Sequence, residues 1–136
     1  MISGGHQVGS HTWSHADLAT LTAAEITDQM AQLETAHVAL IGKAPTYMRP
    51  PYLSTNDLAV STLTTLGYHI VSVDIDTFDY NEGPAGRIQN SINWFEGNQT
   101  SGGSIVLNHD PFEQTADVFV PAVITYLNGK GLKCKC

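Results

Sequence analysis

Two histidines four residues apart, His11 and His15, stand in the stretch VGSHTWSH, residues 8–15. Imidazoles at that spacing converge on one ion where the segment is helical or tightly turned. With a carboxylate and a water they would make a catalytic zinc site, which keeps three protein ligands and one open position. The pattern alone is loose, because ordinary surface or core histidines also produce it. Further groups able to do chemistry follow along the chain: Arg49, then Asp74, Asp76 and Asp79, then His109 and Asp110.

The elements that must position these groups alternate between extended and helical patterns. Residues 6–10 (HQVGS) read as a short strand. Thr22 and Glu25 form a capping box, and Ile26, Met30, Leu33, Val38 and Ile41 then recur at helical spacing until Gly42. Residues 46–49 are extended and are halted by Pro50 and Pro51. A second helix spans 55–66, and 68–75 (YHIVSVDI) reads as one buried strand. Pro84 opens a third helix with Ile88, Ile92 and Phe95 on one face and Gly97 after it. Residues 104–109 form the next strand, a fourth helix runs from about Gln114 to Asn128, and LKCKC is a last short strand. About five strands alternating with four helices, in a single domain over 1–136, argue for a parallel sheet with helices outside it. Five strands can form an open doubly wound sheet or part of a barrel. No glycine-rich phosphate loop follows any strand, which counts against a dinucleotide fold. The polar residues named above all fall at carboxyl ends of strands, the face where parallel folds gather active sites.

Composition narrows the partners. The chain has 136 residues, a formal charge of −7 and only 6 Lys+Arg, with no basic cluster. This excludes a nucleic-acid partner held through phosphates. No apolar run approaches a bilayer span, and the first residues, MISGGHQ, lack the regions of a signal peptide. Cys134 and Cys136 lie too close for an unstrained bridge and read as loose thiols. The sequon Asn98-Gln99-Thr100 suits a surface loop of a secreted protein. Trp13 and Trp94 read as packing residues ahead of sugar platforms, and His6, His37 and His69 as structural.

The order of four motifs brings a resemblance. GHQVGSHTWSHADL resembles the His-Ser/Thr-x-x-His motif of the polysaccharide deacetylases, carbohydrate esterase family 4, whose histidines hold zinc. Arg49-Pro50-Pro51-Tyr52 is similar to the family's Arg-x-Pro-Phe/Tyr motif. Asp76-Thr77-Phe78-Asp79-Tyr80 is similar to its Asp-x-x-Asp/Ser-Trp motif, with Tyr for Trp. Leu107-Asn108-His109-Asp110 is similar to its Leu-x-His-Asp motif. DIDTFDYN in particular is like fungal chitin deacetylases. The resemblance implies a partial (β/α) barrel and N-deacetylation of an acetylated, chitin-like polysaccharide, in a secreted or cell-wall setting. It implies that His11 and His15 hold Zn2+ or another divalent transition metal, and that His109 is the general acid. Asp76 would orient His109, and Arg49 would pair with a catalytic base. The Tyr52 amide would bind the oxyanion, while Tyr80 and Leu107 would wall the acetyl methyl.

The family's first motif, Thr-Phe-Asp-Asp, which supplies a third ligand and the base, has no counterpart in this sequence. The expectation is a fragment or a shortened homologue, binding zinc poorly and deacetylating slowly or not at all, unless Asp76, Asp79, Asp110 or a partner chain completes the shell. The alternatives are a non-catalytic carbohydrate-binding remnant, a deacetylase of xylan or peptidoglycan, and a small metal-binding protein unrelated to sugars.

Overall fold

The computed structural model describes residues 2–133. The described chain divides between Ser72 and Val73 into two compact units, each with its own core.

In the first unit, α1 (Ala23–Ile41) starts where the capping box requires. Glu25 N–H donates to Thr22 Oγ1 at 3.3 Å, and Thr22 N–H donates to the Glu25 carboxylate at 2.8 Å. Gly42 ends it at φ 71°, a left-handed turn that glycine adopts without steric cost. Its buried stripe is narrower than the spacing suggests, with Ile26 and Met30 in the core and Val38 half exposed. β1 (Tyr47–Met48) pairs in parallel with β2 (His69–Ile70), Tyr47 opposite His69. Between them lies α2 (Asp57–Thr65), capped by the Asn56 side chain, which accepts from Ala59 N–H at 2.9 Å. Leu18, Met48, Ala59, Leu63 and Tyr68 complete the core.

The expected first strand, 6–10, shrinks to one parallel bridge between Ser10 and Met48. Gly9 beside it offers the pleat no side chain and weakens strand formation. The expected strand 68–75 is also two strands rather than one. β2 ends at Ile70, and β3 (Ile75–Asp76) pairs instead with β4 (Val106–Leu107), Ile75 opposite Val106. Between them Asp74 turns its carboxylate onto Ser104 N–H, Ser104 Oγ and Ile105 N–H, each at 3.1 Å. An apolar run does not reveal where a strand changes partner.

In the second unit, α3 (Asp79–Glu82) follows β3 directly, and Pro84 falls in the turn after it. α4 therefore starts later than expected and runs Ile88–Thr100, through Gly97. The sequon Asn98 lies in its last turn, where its amide donates to Trp94 O, not in a loop. The last helix opens as a π-turn, Thr115–Phe119, and continues as α5 (Val120–Gly129). Pro121 cannot donate and crowds the preceding turn, so a widened turn there is the conformation it tolerates. Ile75, Ile88, Ile92, Phe95 and Phe119 form the core. Gly103 is needed for space: a Cβ there would lie 2.6 Å from the Ile75 side chain. Leu132 and Lys133 are not in a strand, while Cys134, Lys135 and Cys136, with the expected strand end and thiols, lie outside the described residues. Among the described residues no helix is long and apolar enough to cross a membrane.

Candidate active site

The structure brings the expected site residues together in two groups, one within each unit. In the first unit the loop after Ser10 carries His11 and His15. Their rings stand edge to face with centroids 4.8 Å apart, and His15 stands likewise against Tyr52 at 4.7 Å. His11 Nδ1 lies 2.5 Å from the Arg49 carbonyl oxygen. A carbonyl only accepts, so Nδ1 carries the hydrogen and the neutral ring's lone pair sits on Nε2. This is how a ligating histidine is oriented by its surroundings.

The backbone here is unusual. Thr12 and His15 have φ of 66° and 58°, and Tyr52 and Leu53 have φ of 58° and 55°. Left-handed backbone costs a residue with a side chain roughly 1–2 kcal/mol, and such positions cluster at functional sites. The fifth such residue, Phe78, sits in the Asp76–Tyr80 motif. All five non-glycine residues described with positive φ thus fall within or directly beside the motifs. The buried Thr12 hydroxyl adds a second irregularity, since it has no hydrogen-bond partner among the described residues.

In the second unit the centre is Asp79, which has no exposed surface. The left-handed Phe78 ends the extension from β3 and starts α3, turning Asp79 inward. Asp79 Oδ1 lies 2.9 Å from His109 Nδ1. Its Oδ2 accepts from His109 N–H at 2.6 Å and from Thr115 Oγ1 at 2.9 Å. The carboxylate that orients His109 is therefore Asp79 and not Asp76, which was expected in that place. Asp76 accepts instead from Phe78 N–H at 3.0 Å and from Tyr80 O–H at 3.1 Å. Burial first, and the Asp76 carboxylate second, push the Tyr80 phenol above its usual pKa, so Tyr80 remains a donor. The Tyr80 ring meets the His109 ring edge-on at 5.5 Å, and Phe112 meets it at 6.1 Å. Leu107 is buried in β4, and its carbonyl holds Thr77. Asp74 lies before β3, away from the strand's carboxyl end where the sequence had placed it.

Thr115 and Phe112 were missed in the sequence. The cue for Thr115 was slight, a hydroxyl at the start of the last helix. Its importance depends on a contact 36 residues away.

The metal set is only partly assembled. His11 and His15 supply two nitrogens of the type zinc prefers. No group of three or more His, Cys, Asp or Glu suited to an ion occurs among the described residues. Asp79 is committed to His109 and Thr115, and Asp76 to Tyr80 and Phe78. The two histidines fit as part of a site, and none of these carboxylates completes it.

Comparison with known proteins identifies the family. The sequence profile of the polysaccharide deacetylase family matches residues 1–71. A chitin deacetylase of a Pestalotiopsis species is 54% identical over 132 residues, 97% of this chain and 44% of that protein. The Arthroderma benhamiae protein named "Probable peptidoglycan-N-acetylglucosamine deacetylase" is 38% identical over 130 residues, 95% of this chain and 30% of its own. The chitin deacetylase structure from Colletotrichum lindemuthianum superposes with a TM-score of 0.91 at 39% identity, covering 98% of this chain and 61% of that one. The chain thus spans between 30% and 61% of these relatives. Its fold class is theirs, α/β, corresponding to part of a (β/α) barrel. With the profile covering more than half its length, this chain belongs to the polysaccharide deacetylase family.

Proposed function

We propose that this chain serves metal-dependent N-deacetylation of N-acetylglucosamine polymers, chitin first, releasing acetate in a secreted or cell-wall setting. The observation that carries the reading is the buried Asp79 held against His109. The identity to a chitin deacetylase supports the same substrate.

In this reaction water adds to the N-acetyl carbonyl, the C–N bond breaks, and the sugar amine leaves with a proton. Asp79 accepts from His109 Nδ1–H, so Nε2 is the atom that can hand that proton to the amine. The carboxylate steadies the imidazolium before transfer, as in other histidine–carboxylate pairs. His11 and His15 would hold Zn2+, or another divalent transition metal, which would supply polarisation of the carbonyl and a more acidic water. The Tyr52 amide is the candidate donor to the negative charge developing on the carbonyl oxygen, a contact typically worth about 3 kcal/mol. Arg49 holds the place of the family residue that pairs with the base. Tyr80 and Leu107 wall the acetyl methyl.

The test is acetate release from an N-acetylglucosamine oligomer by the 136-residue chain with zinc supplied. Release that disappears in His109→Ala upholds the reading. A second reading, glycan binding without turnover, is favoured by the lack of a third ligand among the described residues. Oligomer binding without acetate release would select it. Peptidoglycan as substrate is favoured by the Arthroderma relative and is separated from chitin by the same assay on both polymers.

A further inference from the structure

Trp94 is left unused by the deacetylation chemistry. The sequence made it a packing residue, yet on α4 it is 50% exposed. Phe78, itself 40% exposed, meets it edge to face with centroids 5.8 Å apart. Phe78 holds this position through left-handed backbone at φ 55°, a conformation unfavourable for a bulky side chain. An apolar ring is therefore kept at the surface against both backbone preference and the tendency to bury it.

Beside the rings lies a shallow cleft of about 330 Å³, lined also by Asn81, Glu82, Asn90 and Ser91. Ser91 is 1% exposed, and its Oγ has no hydrogen-bond partner among the described residues. Other helical hydroxyls donate to the carbonyl four residues back, Thr27 to Ala23, Thr35 to Ala31 and Thr62 to Leu58. Ser91 makes no such bond, although a buried hydroxyl normally finds a partner. The Glu82 carboxylate is already taken by Arg87 at 3.0 and 3.1 Å and by Asn90 at 2.7 Å. The cleft therefore offers hydrogen-bonding groups beside an aromatic face, with its one carboxylate paired. That combination suits an uncharged pyranose, which places C–H groups on the ring face and polar substituents at its rim. Trp94, Phe78, Tyr80 and His109 also follow one another at centroid spacings of 5.8, 6.3 and 5.5 Å, a row of rings from the cleft to the proposed acid.

We infer that the Trp94–Ser91 cleft binds one uncharged pyranose unit of the polysaccharide, separate from the unit that reacts at His109. The identity of the sugar rests on the deacetylase reading; the place rests on Trp94, Phe78 and Ser91.

The experiment is a titration of the 15N-labelled chain with the tetramer of β-1,4-linked N-acetylglucosamine, in chelator so that nothing turns over. The chain has two tryptophans, and the Trp94 indole signal is the one lost in Trp94→Phe. The expected result is a saturable shift of that signal, with affinity about threefold weaker or more in Ser91→Val, the cost of one hydrogen bond. A Trp94 signal that stays still, or that moves equally for glycerol, overturns the inference. So does an affinity indifferent to Ser91→Val in a chain whose remaining spectrum is unchanged. Acetate release with zinc is read separately on the same material. Release with an immobile Trp94 sinks the cleft alone, while a saturable shift without release upholds the cleft and sinks the deacetylase reading.

Discussion

His109 Nδ1 lies 2.9 Å from Oδ1 of Asp79, although the two are 30 positions apart with all of α4 between them. The carboxylate has no exposed surface and is met by donors on both oxygens, while the imidazole is 30% exposed. One partner is fixed in the interior and the other reaches outward. A proton-transfer residue needs both conditions: a defined tautomer and access to substrate.

Replacing Asp79 by Asn puts an amide NH2 where donors already point. Acetate release should fall about 10²- to 10⁴-fold, the range for losing an oriented acid–base histidine. Asp76→Asn should cost much less, because Asp76 bonds Tyr80 and Phe78 rather than His109. Comparing kcat for the two variants decides which aspartate orients the histidine. Equal losses would return that role to Asp76.

Thr115→Val removes one of the donors to Asp79 at nearly constant volume. Bonds to charged groups are typically worth about 1.5–3 kcal/mol, and urea unfolding should show a loss in that range. Turnover should drop less than in Asp79→Asn. Thr115→Ser keeps the hydroxyl and should recover most of both. A valine variant as stable and active as the parent would show that Asp79 is held without it.

Zinc binding, followed by calorimetry, should be weak in the chain as it stands and absent in His11→Ala and His15→Ala. The two rings stand together, but no third ligand joins them among the described residues. Tight binding of one ion per chain, lost in both variants, would mean that the shell is completed elsewhere in the chain.

Three carboxylates make stability depend on acid. Asp74 is held below its usual 3.8 by Ser104 N–H, then by Ile105 N–H and the Ser104 hydroxyl. Glu25 is held below 4.5 by the Thr22 N–H and then its hydroxyl, and Glu82 below 4.5 by Arg87 and then Asn90. A carboxylate with a lowered folded pKa binds fewer protons folded than unfolded. Its stabilisation is therefore full above the unfolded value and lost as pH falls through the folded one. Denaturation midpoints should be flat in these three terms above about pH 4.5 and decline below it. Asp74→Asn should flatten part of that decline, and an unchanged acid profile would show that the Ser104 clamp contributes nothing.

Gly103→Ala would place a Cβ 2.6–2.7 Å from the Ile75 side chain, itself 1% exposed. Overpacking of this kind typically costs about 1–3 kcal/mol. Thermal denaturation of the variant should show it, and an unshifted midpoint would mean that Ile75 has room to move.

Local chemistry was readable without the structure wherever the partners are close in sequence. The Thr22–Glu25 box and the left-handed Gly42 bound α1 as the residues require, because both depend on contacts within one turn. The spacing of His11 and His15 likewise anticipated two rings side by side. Tertiary structure decided what depends on distant neighbours. The continuous apolar run 68–75 could not show that its two ends pair with different strands. Asp76 and Asp79 are both carboxylates of one short motif, and no pattern of types distinguishes them. Asp79 faces His109 because Phe78 takes a left-handed turn between them, and Thr115 joins it across 36 residues. Trp94 and Ser91 follow the same rule. Spacing places them on α4, but only packing decides which ring stays in the open and which hydroxyl is buried without a partner.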